Sequence, residues 1–132
     1  MGSLENVEIV RAALDAWNAG DMDANREAFA PDAIVRLPAN WPEPGPFIGR
    51  EAVARQLKQL RDTWDADVLE FVSDFIASED RVLVRLTWRG SGHGPASSIE
   101  VTGVYTVRNG EICAVEHFWD HAEALEAVGL RE

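Results

Sequence analysis

Cysteine and metal-binding patterns are scarce in this sequence. The chain of 132 residues contains one cysteine, Cys113, so no disulfide can form within it. No group of cysteines and histidines has the spacing of a zinc site. There is also no phosphate-binding glycine loop and no nucleophile elbow of the Ser-His-Asp hydrolases. We therefore expect a protein that needs neither a metal ion nor any other cofactor.

The sequence also has few basic residues and no long apolar stretch. Twelve basic residues stand against 23 acidic ones, which gives a net charge of −11. This balance disfavours binding to nucleic acid or to anionic membranes, because both need clustered basic charge. No apolar stretch approaches the ~18 residues of a membrane span, and residues 1–6 do not look like a signal peptide. We expect a cytoplasmic protein with no nucleic-acid or membrane partner.

The apolar residues that are present, 46% of the chain, suffice for one core and one domain over residues 1–132. Hydrophobic spacing of 3.6 residues predicts helices at the start of the chain, and spacing of two predicts strands later. The predicted helices cover residues 4–19, 22–29, 50–62 and 120–129, and the predicted strands cover 33–37, 68–77, 81–89, 98–107 and 111–119. Residues 38–47 hold four prolines and are predicted to form a stiff loop. This order predicts an α+β fold whose twisted sheet curls around helices and leaves a cone-shaped pocket.

Four motifs carry a family resemblance that covers nearly the whole chain. They are Trp17-Asn18-Ala19-Gly20-Asp21, Phe29-Ala30-Pro31-Asp32-Ala33, the segment from Phe47 to Val53, and the segment from Phe118 to Leu125. Together they resemble the SnoaL-like proteins of the nuclear transport factor 2-like superfamily. The resemblance implies a cone-shaped α+β barrel, with three N-terminal helices on a curved, mostly antiparallel sheet and a short C-terminal helix. It also implies a homodimer formed through the outer face of the sheet.

The same superfamily includes ketosteroid isomerase, limonene epoxide hydrolase and scytalone dehydratase, and the resemblance can be followed to single positions. The three catalytic positions of ketosteroid isomerase fall on Ala13, on Leu37 and near Gly103. None of these residues is acidic or hydroxylated, so that activity is not expected. The last-strand aspartate of limonene epoxide hydrolase and of the polyketide cyclases falls close to His117.

Alternation along the last strand places His117 on the face that the resemblance turns toward the cone. An imidazole can accept and donate a proton near neutral pH, so His117 is the first catalytic candidate, with Tyr105 and Asp120 assisting. A structural role for His117, and a helix-capping role for Asp120, remain open alternatives. The predicted substrate-binding walls are Trp17, Leu37, Trp41, Val53, Leu57, Val84, Leu86, Trp88, Val115 and Trp119. Several of these apolar residues would serve equally well as ordinary core.

Other residues receive weaker interpretations. Asp32 fits a turn, and Asp74 and His93 have no assigned role. Cys113 is predicted to lie at the narrow end of the pocket or in the core. The predicted outer, dimer-forming face carries Ile112, Ala114, Phe118, Val104 and Thr106.

The leading hypothesis is a small cofactor-free enzyme, of the isomerase, cyclase, dehydratase or epoxide-hydrolase type, acting on a hydrophobic small molecule. The alternative is a module of the same fold that binds a small molecule without catalysis, or that only dimerises.

Overall fold

The computed structural model describes residues 3–41, 45–63, 68–71, 75–89 and 98–129. Within these ranges four helices and seven strands follow one another. The helices are α1 (Ser3–Ala19), α2 (Met22–Glu27), α3 (Arg50–Thr63) and α4 (His121–Ala127). The strands are β1 (Phe29–Arg36), β2 (Phe47–Ile48), β3 (Val68–Phe71), β4 (Ile76–Ser78), β5 (Arg81–Arg89), β6 (Ser98–Arg108) and β7 (Glu111–Phe118).

The strands form one mixed sheet in the order β2-β1-β7-β6-β5-β3, and β4 also pairs with β5. The β1–β7 pair is parallel and the other pairs are antiparallel. The main core joins α1 and α3 to one face of the sheet, and a smaller cluster joins α4 to the other face through Leu83, Val104, Ala124 and Leu125. The strands within the described ranges do not close into a complete barrel. The expected α+β cone, with a mostly antiparallel sheet and a short last helix, is confirmed.

Strong local signals agree with the structure. Asp21 caps α2, and its carboxylate accepts a hydrogen bond from the Ala24 backbone N–H at 3.1 Å. Asn109 and Gly110 both have positive φ, of 53° and 78°. Such a pair forms the tight turn that suits a two-residue hairpin, and it connects β6 to β7. The predicted strand at residues 81–89 coincides with β5.

The boundary between α2 and β1 differs from the prediction, which continued the helix to Phe29 and began the strand at Ala33. The helix ends at Glu27 and the strand begins at Phe29. The reason is tertiary pairing, because Phe29 lies opposite Ile112 of β7 and the Ile112 N–H donates to the Ala28 carbonyl at 2.9 Å. The ladder is irregular between Phe29 and Ile34, and this irregularity accommodates Pro31, which has no N–H to donate.

Two further segments also differ from their predicted form. Residues 38–47 were predicted to be loop only, but Phe47 begins the short strand β2 and pairs with Val35. Residues 68–77 were predicted to be one strand, but two strands lie there, β3 and then β4, which continues to Ser78. These two strands pair with different halves of β5, since Phe71 lies opposite Leu86 and Ile76 lies opposite Leu83.

A β-bulge in β7 overturns the placement of Ile112 on the outer face. Val107 pairs with Ile112 while the neighbouring Thr106 pairs with Ala114, so Cys113 is the extra residue. One extra residue reverses the alternation on its far side. Ile112 is therefore fully buried in the main core beside the inner-face residues, while Cys113 is partly exposed.

Candidate functional site

A small pocket lies between the helices and the inner face of the sheet. Its volume is about 40 Å³, which is room for roughly three water molecules. Eight of its lining residues are apolar, and three are polar and buried: His117, Tyr105 and Asn25. The apolar ones are Ala13, Leu14, Trp17, Phe29, Val35, Leu57, Trp88 and Val115. Apolar walls with a few placed polar groups are typical of small-molecule sites.

His117 lies near the end of β7 and is only 6% exposed. Its Nδ1 lies 2.8 Å from the backbone carbonyl oxygen of Arg36 on the neighbouring strand. A carbonyl oxygen can only accept a hydrogen bond, so Nδ1 carries the proton and Nε2 of the neutral ring presents a lone pair. Within the described part of the chain, Nε2 has no hydrogen-bond partner. The geometry therefore orients the ring and leaves one basic nitrogen available.

Burial keeps this imidazole neutral. Desolvation lowers the pKa of His117 to about 4, and the hydrogen bond to the Arg36 carbonyl opposes that shift only in part. No described carboxylate shifts this pKa, and an uncompensated buried cation is costly, so the protonated form is disfavoured. At neutral pH Nε2 of His117 can therefore accept a proton, while the Nδ1 proton stays bonded to the Arg36 carbonyl.

Tyr105 supplies a hydroxyl group near His117. Its side chain is 5% exposed, and its ring covers Gly103, the residue directly opposite His117 on β6. A Cβ atom placed on Gly103 would lie 2.7 Å from Cε1 of Tyr105 and 3.3 Å from its hydroxyl oxygen. Side chains that face each other across strands have Cβ atoms about 5 Å apart, so the hydroxyl lies on the His117 side of the pocket.

The Tyr105 hydroxyl stays protonated and has no partner among the described residues. Burial raises the pKa of this phenol above its ordinary value, which keeps it a hydrogen-bond donor. Within the described residues no group accepts its hydrogen bond. Buried polar groups are nearly always paired, so an unpaired hydroxyl and an unpaired imidazole nitrogen in one pocket point to a ligand.

Aromatic rings connect this pocket to the surface. Trp88 lies against His117 with ring centroids 5.4 Å apart, and Trp41 packs edge-on to Trp88 at 6.0 Å. Trp119 lies 6.1 Å from Trp41, is 48% exposed, and donates its indole N–H to the Ala39 carbonyl at 2.6 Å. Trp41 and Trp119 thus stand outside the pocket lining, between it and the solvent.

The other predicted site residues lie elsewhere. Four of them are buried in the main core without lining the pocket, namely Leu37, Val53, Val84 and Leu86. Asp120 caps α4, because its carboxylate accepts the Ala122 N–H at 2.9 Å. Asp32 is exposed. Asp74 and His93 lie outside the described residues. The pocket therefore brings together His117, Tyr105, Trp17, Leu57, Trp88 and Val115 from the predicted set.

Asn25 is the polar lining residue that the sequence prediction missed. It lies on α2, is 4% exposed, and donates its side-chain N–H to the Ala13 carbonyl at 2.9 Å. Its position three residues after Met22 puts it on the inward side of the helix, which is the signal that could have found it.

Some kinds of site are not seen in the part of the chain that the structure describes. No three His, Cys, Asp or Glu side chains there come close enough to bind a metal ion. Across the same ranges, no helix has both the length and the apolar composition of a membrane span.

Comparison with known proteins identifies the family. A model of the SnoaL-like domain matches residues 10–115. The chain belongs to the SnoaL-like family. No curated protein matches the sequence.

Solved structures agree with this family and its fold. A candidate polyketide cyclase from Sinorhizobium meliloti is 29% identical, with a TM-score of 0.70 over 89% of this chain and 99% of that one. A nuclear transport factor 2-like protein from Burkholderia pseudomallei is 21% identical, with a TM-score of 0.73 over 98% of this chain and 99% of that one. TerC, co-crystallised with polyporic acid, is 19% identical, with a TM-score of 0.72 over 94% of this chain and 97% of that one.

Proposed function

We propose that this SnoaL-like protein is a cofactor-independent acid–base enzyme acting on a small apolar carbonyl compound. The observation that carries the proposal is the oriented, neutral and unpaired His117 beside the unpaired hydroxyl of Tyr105. His117 acts as the general base, and Tyr105 as a hydrogen-bond donor. Asp120 takes no part, because its carboxylate is engaged at the start of α4.

The two groups suit the removal of a proton from carbon next to a carbonyl group. Nε2 of His117 takes the proton, and the electron pair of the C–H bond moves to the carbonyl oxygen, which becomes an enolate. Tyr105 donates a hydrogen bond to that oxygen and stabilises the charge that develops there. The proton then returns from His117 to the substrate, either to carbon or to oxygen. The step needs no oxidant, metal ion or second substrate.

The low pKa of His117 narrows the substrate class. Burial lowers the pKa of His117 to about 4 and makes it a weak base, and a weaker base removes a given proton more slowly. A carbon between two carbonyl groups loses its proton far more readily than a carbon beside one. We therefore propose a 1,3-dicarbonyl substrate. The structural relative described as a candidate polyketide cyclase is in keeping with this class.

A direct test uses pentane-2,4-dione, the smallest 1,3-diketone, because the pocket is small. The protein is expected to accelerate the interconversion of its keto and enol forms, followed by the ultraviolet absorbance of the enol. His117→Gln is expected to lower this rate about 100-fold, which is typical for the loss of a general base. His121→Gln is the matched control, since His121 lies on α4 and bonds to Thr102 on the outer side.

The outcomes separate an enzyme from a binding module. If wild type and His117→Gln react at the same rate, His117 is not the base. If the diketone binds to the wild type, seen as a change in tryptophan fluorescence, but its interconversion is not accelerated, the protein binds without catalysing this step. Trp88 is a suitable reporter because it lines the pocket.

We also propose that the chain forms a homodimer through the outer sheet face. The strand register lines up Ile48, Ile34, Ala114 and Thr106 in one row across four strands. A groove of about 230 Å³ follows this face beneath α4. Arg36 and Glu116 lie side by side at this groove. In a dimer with a two-fold axis, Arg36 of each copy would face Glu116 of the other.

The dimer is tested by light scattering during gel filtration at micromolar concentration. Wild type is expected at twice the chain mass of 14.6 kDa. Ala114→Arg is expected to shift it to one chain mass, since it puts bulk and charge into the centre of the row. Asp15→Arg, which changes an exposed residue on α1, is the control and should remain dimeric. A monomeric wild type would overturn the proposal.

A further inference from the structure

We propose that Asn25 is a second recognition point, so that the pocket selects an elongated molecule with an oxygen function at each end and an apolar middle. This inference rests on the proposed function, because it takes the dicarbonyl end of the substrate to lie at His117. It adds the chemistry of the far end, which nothing else in the site assigns.

The first step is that Asn25 has unused hydrogen-bonding groups. One side-chain N–H donates to the Ala13 carbonyl at 2.9 Å. Since that carbonyl can only accept, the orientation of the amide is fixed, with nitrogen toward Ala13 and Oδ1 on the other side. Oδ1 and the second N–H have no partner in the described part of the chain. The residue is 4% exposed and lines the pocket, so these groups open onto the pocket and not onto solvent.

The second step is that Asn25 lies at the opposite end from His117. The Ala28 N–H donates to the Asn25 carbonyl at 3.2 Å, and the Ile112 N–H donates to the Ala28 carbonyl at 2.9 Å. Asn25 therefore lies near the Ile112 end of β7. His117 is five residues further along that strand, but one of them is the bulged Cys113, so the strand advances about four residue rises, or about 13 Å, between Ile112 and His117.

The third step is that the wall between the two ends is apolar. Phe29, Val35 and Val115 line it from the sheet, and Leu14, Trp17 and Leu57 line it from the helices. A single ring carrying the 1,3-dicarbonyl group at one end and a hydroxyl group at the other matches this distribution. The present volume of about 40 Å³ is smaller than a ring needs, so such a ligand must push lining side chains apart.

Two ligands of nearly equal size test the proposal: 1-(4-hydroxyphenyl)butane-1,3-dione and 1-(4-methylphenyl)butane-1,3-dione. Without a polar partner at the far end, the methyl compound should bind better, because burying an unpaired hydroxyl is costly. With Asn25 as partner, wild type should favour the hydroxyl compound about tenfold in kcat/KM and in dissociation constant. That factor is typical of one hydrogen bond in a buried site.

Asn25→Leu keeps roughly the same volume and removes the amide. Its preference should reverse in favour of the methyl compound. If Asn25 had only a structural role, through its bond to Ala13, the substitution would weaken the binding of both ligands equally. The ratio of their affinities would then stay unchanged. If Asn25→Leu fails to fold, the wild type alone still tests the proposal. Its ratio of kcat/KM for the hydroxyl compound to kcat/KM for the methyl compound exceeds one only when the end of the pocket away from His117 is polar.

Three results would overturn this inference. They are a wild-type preference for the methyl compound, an unchanged ratio in a folded Asn25→Leu variant, and failure of both aryl diketones to bind while pentane-2,4-dione is turned over. Failure of the proposed function is a different result, namely binding of these diketones with no turnover of any of them.

Discussion

Between pH 6.5 and pH 4, the protein is expected to lose about 3 kcal/mol of folding free energy through one side chain, His117. In the folded state burial lowers its pKa from 6.5 to about 4. As the pH falls below 6.5, the unfolded chain gains a proton on this residue and the folded chain does not. The unfolded state is stabilised until the pH reaches about 4, where the folded state also becomes protonated. Each pKa unit corresponds to about 1.4 kcal/mol.

Urea unfolding measured by tryptophan fluorescence at pH 7.0, 5.5 and 4.5 isolates this effect when wild type is compared with His117→Gln. Carboxylates also titrate in this range, but they do so in both proteins and cancel in the difference. Glutamine can still donate to the Arg36 carbonyl, which His117 contacts at 2.8 Å, and it does not titrate. Wild type should lose about 2–3 kcal/mol more than the variant on going to pH 4.5. Equal losses would mean that His117 is hydrated or paired in solution.

The neutral form of His117 also determines how activity depends on pH. Because His117 acts as a base in the proposed step, kcat/KM should rise with pH around the pKa of about 4 and stay level from there to neutral pH. No loss of activity is expected as the pH rises through 6.5, where a solvent-exposed histidine would titrate. An activity that depends on protonated His117 would fall over this range.

Much of the fold could be predicted because local patterns and tertiary structure agree there. β5 alternates between inward residues, such as Val82 and Val84, and outward ones such as Arg85, except that the outward Leu83 is apolar and covered by α4, and the strand coincides with its predicted range. His117 and Tyr105 follow from the same alternation, since both lie on regular stretches of adjacent strands. The family resemblance supplied the rest, because it tells which face of the sheet the helices cover.

The differences lie where a distant partner decides the local structure. Phe29 continues a helical pattern, yet β7 pairs with it and starts β1 early. The bulge at Cys113 has no signature in its own segment, and it alone moves Ile112 from the outer face to the core. Asn25 enters the site because α2 folds back against the Ala13 carbonyl. Its spacing from Met22 indicates which side of the helix it occupies, but its contact with Ala13, twelve positions away, has no sequence pattern of its own.

Tyr105→Phe is expected to lower the rate of keto–enol interconversion about 100-fold while leaving the fold as stable as before or more so. The loss of rate follows from removing a donor aimed at the developing enolate. The gain in stability, of about 1 kcal/mol, follows because the hydroxyl is buried without a partner in the described residues, and its desolvation is then no longer uncompensated. If Tyr105 had only a structural role, Tyr105→Phe would destabilise the fold, and the rate would fall only as far as the loss of folded protein requires.

Gly103→Ala is the companion test, because it moves the Tyr105 ring without changing its chemistry. The new methyl group would lie 2.7 Å from Cε1 of Tyr105, so the ring must turn away from the position beside His117. We expect a similar loss of rate, with a loss of about 1–3 kcal/mol in stability from overpacking. In the double variant with Tyr105→Phe, Gly103→Ala should still lower stability. It should lower the rate little further, since the hydroxyl that it displaces is already absent. Arg108→Gln, at the exposed end of β6, serves as the control for substitution in β6. If the two rate losses multiply instead, Gly103 acts on the pocket by a route other than the Tyr105 hydroxyl.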